Sequence, residues 1–126
     1  MITVKKTGKL SVTASNERHS LISDVAVAMG GEDSGFNPHE LIEAALAACT
    51  TLTIELYAKR KNWDVSEMKV DVKIVKESKE ASTLERVITF GPQNSAEERE
   101  RILEIANKCP IHQLLMSQIT IETKVQ

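Results

Sequence analysis

Cys49 and Cys109 are the only two thiols in the chain, and each stands where sulfur chemistry is conceivable. Cys109 precedes Pro110 and lies three residues before His112, in EIANKCPIHQLL (Glu104 to Leu115). A residue before proline avoids the helical region, and proline suits the first position of a new helix. One helix therefore ends at Cys109 and another can begin. That places the thiol at or beside an N-cap, where unsatisfied N–H groups and the helix dipole favour a thiolate. The plain alternative is a buried residue at a corner between helices. Cys49 sits in the most apolar stretch, HELIEAALAACTTLTIELY, on a helical face with Ile42, Ala45, Leu46, Thr53 and Leu56. There it is either a small hydrophobe or a nucleophile in an apolar pocket. The second role requires a cation or a hydrogen-bond donor, because burial alone raises a thiol's pKa and makes it inert. The nearest Arg or Lys along the sequence is Lys59, so any activating charge comes from elsewhere in the fold or from a second chain.

Other groups offer weaker chemistry. Cys109-x-x-His112 could be half of a zinc site, completed by Cys49 with His19 or His39. Structural zinc sites bring two close ligand pairs, however, and these residues are scattered over separate elements. Glu40 has a sufficient role in a helix cap. Glu43, a charge inside an apolar run, either faces a solvated groove or pairs with a cation. Three glycines in Gly30-Gly31-Glu32-Asp33-Ser34-Gly35 match neither phosphate-binding fingerprint, and the two acids would repel an anion, so this reads as a plain loop. The run Glu97-Glu98-Arg99-Glu100-Arg101 reads as a solvated helix face. No Ser/His/Asp signature and no P-loop is present.

The 126 residues suit a single domain, 1–126, with one core. Apolar content of 41% and charged content of 27% are those of an ordinary globular chain. Aromatic residues are scarce, and the net charge is −2. Both features argue against nucleic-acid binding, which uses stacking rings and a basic face. MITVKKTGKL lacks a signal-peptide apolar run, and the apolar stretch Leu41 to Leu56 is too short to cross a bilayer. The expectation is a cytoplasmic protein without membrane contact, where two cysteines serve transient or catalytic chemistry, or simple burial, better than a permanent bridge.

The elements that position these thiols follow from periodicity and caps. Ile2 to Ala14 reads as one strand with a bend or bulge at Thr7-Gly8, and Ser15-Asn16-Glu17 as a hairpin turn. Arg18 to Met29 reads as the returning strand. Asn37, Pro38 and Glu40 supply a cap, a first-turn proline and a capping box for a helix. Leu41 to Leu56 is apolar on most of its circumference, which calls for burial on most sides by sheet or by a partner chain. Lys59, Arg60 and Lys61 suit its C-terminus. Met68, Val70, Val72 and Ile74 form a strict period-two strand, and Leu84 to Phe90 its partner. Ser95-Ala96-Glu97-Glu98 opens a second capped helix that Pro110 closes, followed by a short helix from Ile111 to Met116. Ile119, Ile121, Thr123 and Val125 suggest a last strand. The order β-β-α-β-β-α-α-β makes an α+β domain.

With these segments in place, GGEDSGFNPHELIEAALAACTTLTIELYAKRKNWDV and LEIANKCPIHQLL resemble the OsmC/Ohr family, the osmotically inducible and organic hydroperoxide resistance proteins. The likeness runs from about Gly30 to the end. Its specific parts are N-P-x-E-L followed by A-A-C on the central helix, and the later Cys-Pro corner. The resemblance implies an OsmC-like fold, antiparallel-rich sheets around a long central buried helix, as an intertwined homodimer with active sites at the subunit interface. It also implies a thiol-dependent peroxidase. Cys49 would attack an alkyl or lipid hydroperoxide, Cys109 would resolve the sulfenic acid as a disulfide, and an external dithiol, lipoyl in relatives, would reduce it without a bound cofactor or metal. Such enzymes place a glutamate directly after the N-P proline, to orient an arginine against the thiol. Here His39 fills that position and Glu40 comes one step later, about a quarter of a helical circumference away. Glu40 is the catalytic candidate, and Arg18 is the nearest arginine from the N-terminal strands. The alternative on the same scaffold is a binding protein for an apolar small molecule, with the thiols incidental.

Overall fold

The computed structural model describes residues 1–126. The chain forms two compact units, Met1–Ile42 and Glu43–Gln126. In the first, β1 (Thr3–Lys6), β2 (Val12–Ser15) and β3 (Ser20–Ser23) make an antiparallel three-stranded sheet in that order. The expected single strand over Ile2 to Ala14 is instead a hairpin. Its chain reverses between Thr7 and Ser11, where the N–H groups of Thr7 and Gly8 both donate to the Ser11 carbonyl. A turn anchored by the Asn16 side chain, which accepts from the N–H groups of Arg18 and His19, leads into β3. That strand is shorter than the expected Arg18 to Met29. It stops at Ser23, and a 3-10 turn, Val27–Met29, follows and ends on Gly30 at φ 92°, a left-handed conformation that glycine adopts without strain.

The glycine-bearing segment is a loop, as expected, and Asp24 organises it. Its carboxylate accepts from the N–H groups of Val25 (2.7 Å), Glu32 (3.3 Å) and Ser34 (3.2 Å) and from the Ser34 hydroxyl (2.6 Å). The Ser34 hydroxyl bond is the main force holding Asp24 below its ordinary pKa; burial opposes it, and the backbone N–H groups assist. The N–H groups that could cradle an anion are thus already occupied by the chain's own carboxylate.

Helix α1, Pro38–Lys61, starts in the first unit and continues into the second. Asn37 and Glu40 form the reciprocal cap that the sequence indicates: the Glu40 N–H donates to Asn37 Oδ1 at 2.9 Å, and the Asn37 N–H to Glu40 Oε2 at 2.8 Å. The helix ends on Asn62, at φ 58°, with the Trp63 N–H returning to the Ala58 carbonyl. At 24 residues it has the length and apolar composition to cross a membrane, which revises the expectation that this stretch is too short. Within this chain, Ile54 and Ala58 on one side of the helix join the core of the second unit.

In the second unit, β4 (Lys69–Lys76) and β5 (Thr83–Thr89) form an antiparallel pair, with Val70 opposite Ile88, Val72 opposite Arg86 and Ile74 opposite Leu84. Helix α2, Ala96–Ala106, begins with the expected capping box between Ser95 and Glu98. Helix α3, Pro110–Met116, follows directly. Ile54 and Ala58 of α1, Val65, and Ile102, Ile105 and Ala106 of α2 make the core, with Met68, Ile88 and Phe90 packed against it.

Two expectations change within this chain. Helix α1 buries one ridge, Leu46, Thr50, Ile54 and Ala58, rather than most of its circumference, while Ile42, Leu52 and Leu56 are exposed. The segment holding Ile119, Ile121, Thr123 and Val125 forms no strand, because it has no neighbouring strand to pair with; all four residues are exposed.

Candidate functional site

Cys49 projects from the α1 ridge between Leu46 and Thr53 and is half-buried. One turn on, the Thr53 hydroxyl stands 4.0 Å from its sulfur. Cys109 is fully buried at the corner joining α2 to α3. It is the N-cap of α3, with Pro110 at the first helical position, and the His112 N–H donates to its sulfur at 3.5 Å. The corner is drawn tight by backbone bonds from Cys109 N–H to the Ala106 carbonyl and from Gln113 N–H to the Cys109 carbonyl. Proline at this position removes an N–H that would have gone unsatisfied and fixes the backbone for the turn.

The Cys109 side chain lies near enough to act on the Cys49 sulfur, and both cysteines are in the reduced form. Burial pushes the Cys49 thiol up, but hydrogen bonds from the Cys109 thiol, the Ile111 backbone N–H and the Thr53 hydroxyl outweigh it and leave Cys49 below its ordinary pKa. Donors aimed at the sulfur favour the ionised form in the way an adjacent cation would. Cys49 therefore carries a larger thiolate fraction at a given pH than an ordinary thiol.

A cation is present as well, from an element the sequence reading did not consider. Arg86 of β5 is half-buried and reaches both cysteine-bearing segments. Its Nη1 donates to the Thr50 hydroxyl (3.0 Å) and the Ala106 carbonyl (3.2 Å), and its Nη2 to Asn107 Oδ1 (2.9 Å). Burial depresses its pKa, and the charge of Cys109 acts in the opposite direction. The signal was available in the period of β5: Arg86 falls on the inward row Leu84, Arg86, Ile88, Phe90, where a charge is out of place.

The remaining candidates are placed as follows. Glu40 is exposed, with its carboxylate in the α1 cap. Arg18 lies in the β2–β3 turn. Glu43 takes neither expected role; its Oε1 accepts the Ile74 N–H at 2.8 Å, beside the irregularity in β4. His112, with Arg86, Leu46, Leu84, Leu115 and Met116, lines a cavity of about 170 Å³ that is mostly apolar. The Cys/His set written for zinc is not assembled, since no three His, Cys, Asp or Glu side chains gather to hold a metal.

Comparison with known proteins agrees with this architecture. Residues 31–124 match the family model described as OsmC-like protein. No protein of curated function matches the chain in sequence. Among solved structures, an OsmC-like protein from Mycoplasma pneumoniae is 22% identical with a TM-score of 0.72, over 91% of this chain and 85% of that one. A Psychrobacter arcticus protein, provisionally assigned to osmotic stress and detoxification response, is 21% identical with a TM-score of 0.77, over 90% and 85%. An organic hydroperoxide resistance protein from Elizabethkingia anophelis is 22% identical with a TM-score of 0.65, over 92% and 88%. At these identities the likeness carries the fold.

Proposed function

We propose that this chain, which belongs to the OsmC-like family of osmotically inducible and organic hydroperoxide resistance proteins, is a peroxidase that reduces organic hydroperoxides through Cys49 and Cys109. The observation that carries the reading is the thiol pair itself: Cys109, the N-cap of α3, acts on the half-buried Cys49 and helps to hold it below its ordinary pKa. The Cys49 thiolate attacks the distal oxygen of ROOH and the O–O bond breaks. The alkoxide leaves as ROH with a proton from water, and Cys49 becomes a sulfenic acid. The Cys109 sulfur then attacks Cys49, expelling water and forming the disulfide. An external dithiol, of the lipoyl type, returns both sulfurs to thiols while becoming a cyclic disulfide. No bound cofactor or metal takes part.

The substrate is an alkyl or lipid hydroperoxide, whose apolar body suits the side chains around Cys49 better than water does. The working unit is a homodimer in the cytoplasm. Exposed Leu52 (62%) and Leu56 (65%) on α1, and exposed Ile121 (85%) and Val125 (94%) in the tail, support this, since a partner covering them would complete the burial that their apolar character calls for. The alternating tail is suited to adding a strand to a partner's sheet.

Steady-state peroxidase assays with cumene hydroperoxide and a lipoyl dithiol test the reading. Turnover by the native chain, abolished in Cys49→Ser, is the expected result. Activity unaffected by that replacement would refute the nucleophile assignment. A copurified apolar ligand, together with thiols inert to stoichiometric hydroperoxide, would favour the binding-protein alternative.

A further inference from the structure

We propose that Arg86 positions the thiol pair and balances negative charge on Cys109, so that the Cys49–Cys109 disulfide opens by attack on Cys49 with Cys109 as the leaving thiolate. The inference rests on the peroxidase reading for its biological setting, though not for its chemistry. Arg86 makes three hydrogen bonds, and all three acceptors are neutral: a hydroxyl, a carbonyl and an amide oxygen. A half-buried guanidinium without a carboxylate partner is costly, and is usually retained where charge develops beside it. The one ionisable group whose charge acts on Arg86 is Cys109. The same guanidinium grips Thr50, next to Cys49, and Ala106 and Asn107, just before Cys109. It therefore fixes the distance between the segments that the disulfide must join.

Access points in the same direction. Cys109 is fully buried, whereas Cys49 is half-exposed, so a reductant in solution reaches the Cys49 sulfur. In that step the reductant thiolate forms a bond to Cys49 Sγ and the S–S bond breaks. The electron pair passes to Cys109 Sγ, which lies in the field of Arg86 and receives the His112 N–H. Cys109 takes up the proton that the reductant thiol released. The reductant's second thiol then attacks its own bound sulfur and frees Cys49. The rate of disulfide exchange depends on which sulfur can be attacked as well as on the leaving thiol, and burial of Cys109 leaves Cys49 as the sulfur within reach.

The test uses the full chain oxidised with diamide, so that disulfide formation does not depend on hydroperoxide. The disulfide is opened with limiting glutathione, quenched into denaturant with excess N-ethylmaleimide, and mapped by peptide mass. Glutathione on Cys49 and maleimide on Cys109 are expected. Opening by dithiothreitol should slow severalfold in Arg86→Gln, because the departing Cys109 thiolate loses the positive charge beside it. Arg86→Lys should restore much of the rate, because it returns the charge without the fork of hydrogen bonds. Glutathione on Cys109 in the native chain would overturn the proposal even if Arg86→Gln failed to fold; so would an Arg86→Gln variant with unchanged rate. A chain that forms no disulfide with diamide overturns both this proposal and the peroxidase reading. A diamide-formed disulfide that opens as described, with thiols inert to cumene hydroperoxide, sinks the peroxidase reading alone.

Discussion

The Arg86 guanidinium donates to the hydroxyl of Thr50 across 3.0 Å, joining β5 to the α1 residue that follows Cys49. Thr50 is fully buried, so this bond is shielded from water and its loss cannot be made good by solvent. Thr50→Val keeps the shape and removes the acceptor. It should cost about 1.5–3 kcal/mol, the range for a hydrogen bond to a charged group, as a lower urea midpoint at unchanged slope.

Ionisation of Cys49 gives a second prediction. The rate of iodoacetamide alkylation against pH should report a Cys49 pKa below that of an ordinary thiol. Cys109→Ala removes the first of the donors that lower it, so the midpoint should move up. The stability sign follows. A depressed folded pKa means that ionised Cys49 stabilises the fold above the unfolded thiol's value of about 8.5, and that this contribution fades as pH falls through the folded value. An alkylation midpoint that stays put in Cys109→Ala would separate the two thiols.

Glu40 supplies a third. Its carboxylate completes the α1 cap with Asn37, and glutamine can fill the same place in a capping box. Glu40→Gln should therefore leave peroxidase turnover and thermal stability nearly unchanged, while Asn37→Ala should cost about 1 kcal/mol. A collapse of turnover in Glu40→Gln would return Glu40 to the chemistry.

The proposed homodimer gives a fourth. Sedimentation equilibrium should report about twice the 14.0 kDa chain mass. Leu52→Glu places a charge on an exposed apolar position of α1 and should shift the protein toward monomer. A native chain that sediments as a monomer at every concentration would leave Leu52, Leu56 and the tail without a cover.

How much of this was legible in the sequence depends on whether the determinant was local. The α1 cap at Asn37 and Glu40, the Ser95 capping box and the Cys109-Pro110 corner were all readable, because each is set by residues within one turn of helix. The β1–β2 reversal at Thr7 to Ser11 was missed; Leu10 continues the apolar alternation across it, so Thr7-Gly8 reads as a bend or bulge as easily as a turn. The burial of α1 and the pairing of the tail depend on what covers them, which a single chain's periodicity does not specify. Arg86 was missed for a related reason. Its partners Thr50, Ala106 and Asn107 lie far from it in sequence, and only the inward row of β5 marks it as unusual.

The central claim, that Cys49 and Cys109 form one redox pair, is tested most directly by intact and peptide mass analysis of the reduced chain after one equivalent of cumene hydroperoxide. The account predicts loss of both thiols, a chain lighter by two hydrogens, and a single cross-linked peptide joining Cys49 to Cys109. Two untouched thiols, or separate oxygen adducts on the two sulfurs with no cross-link, would contradict it.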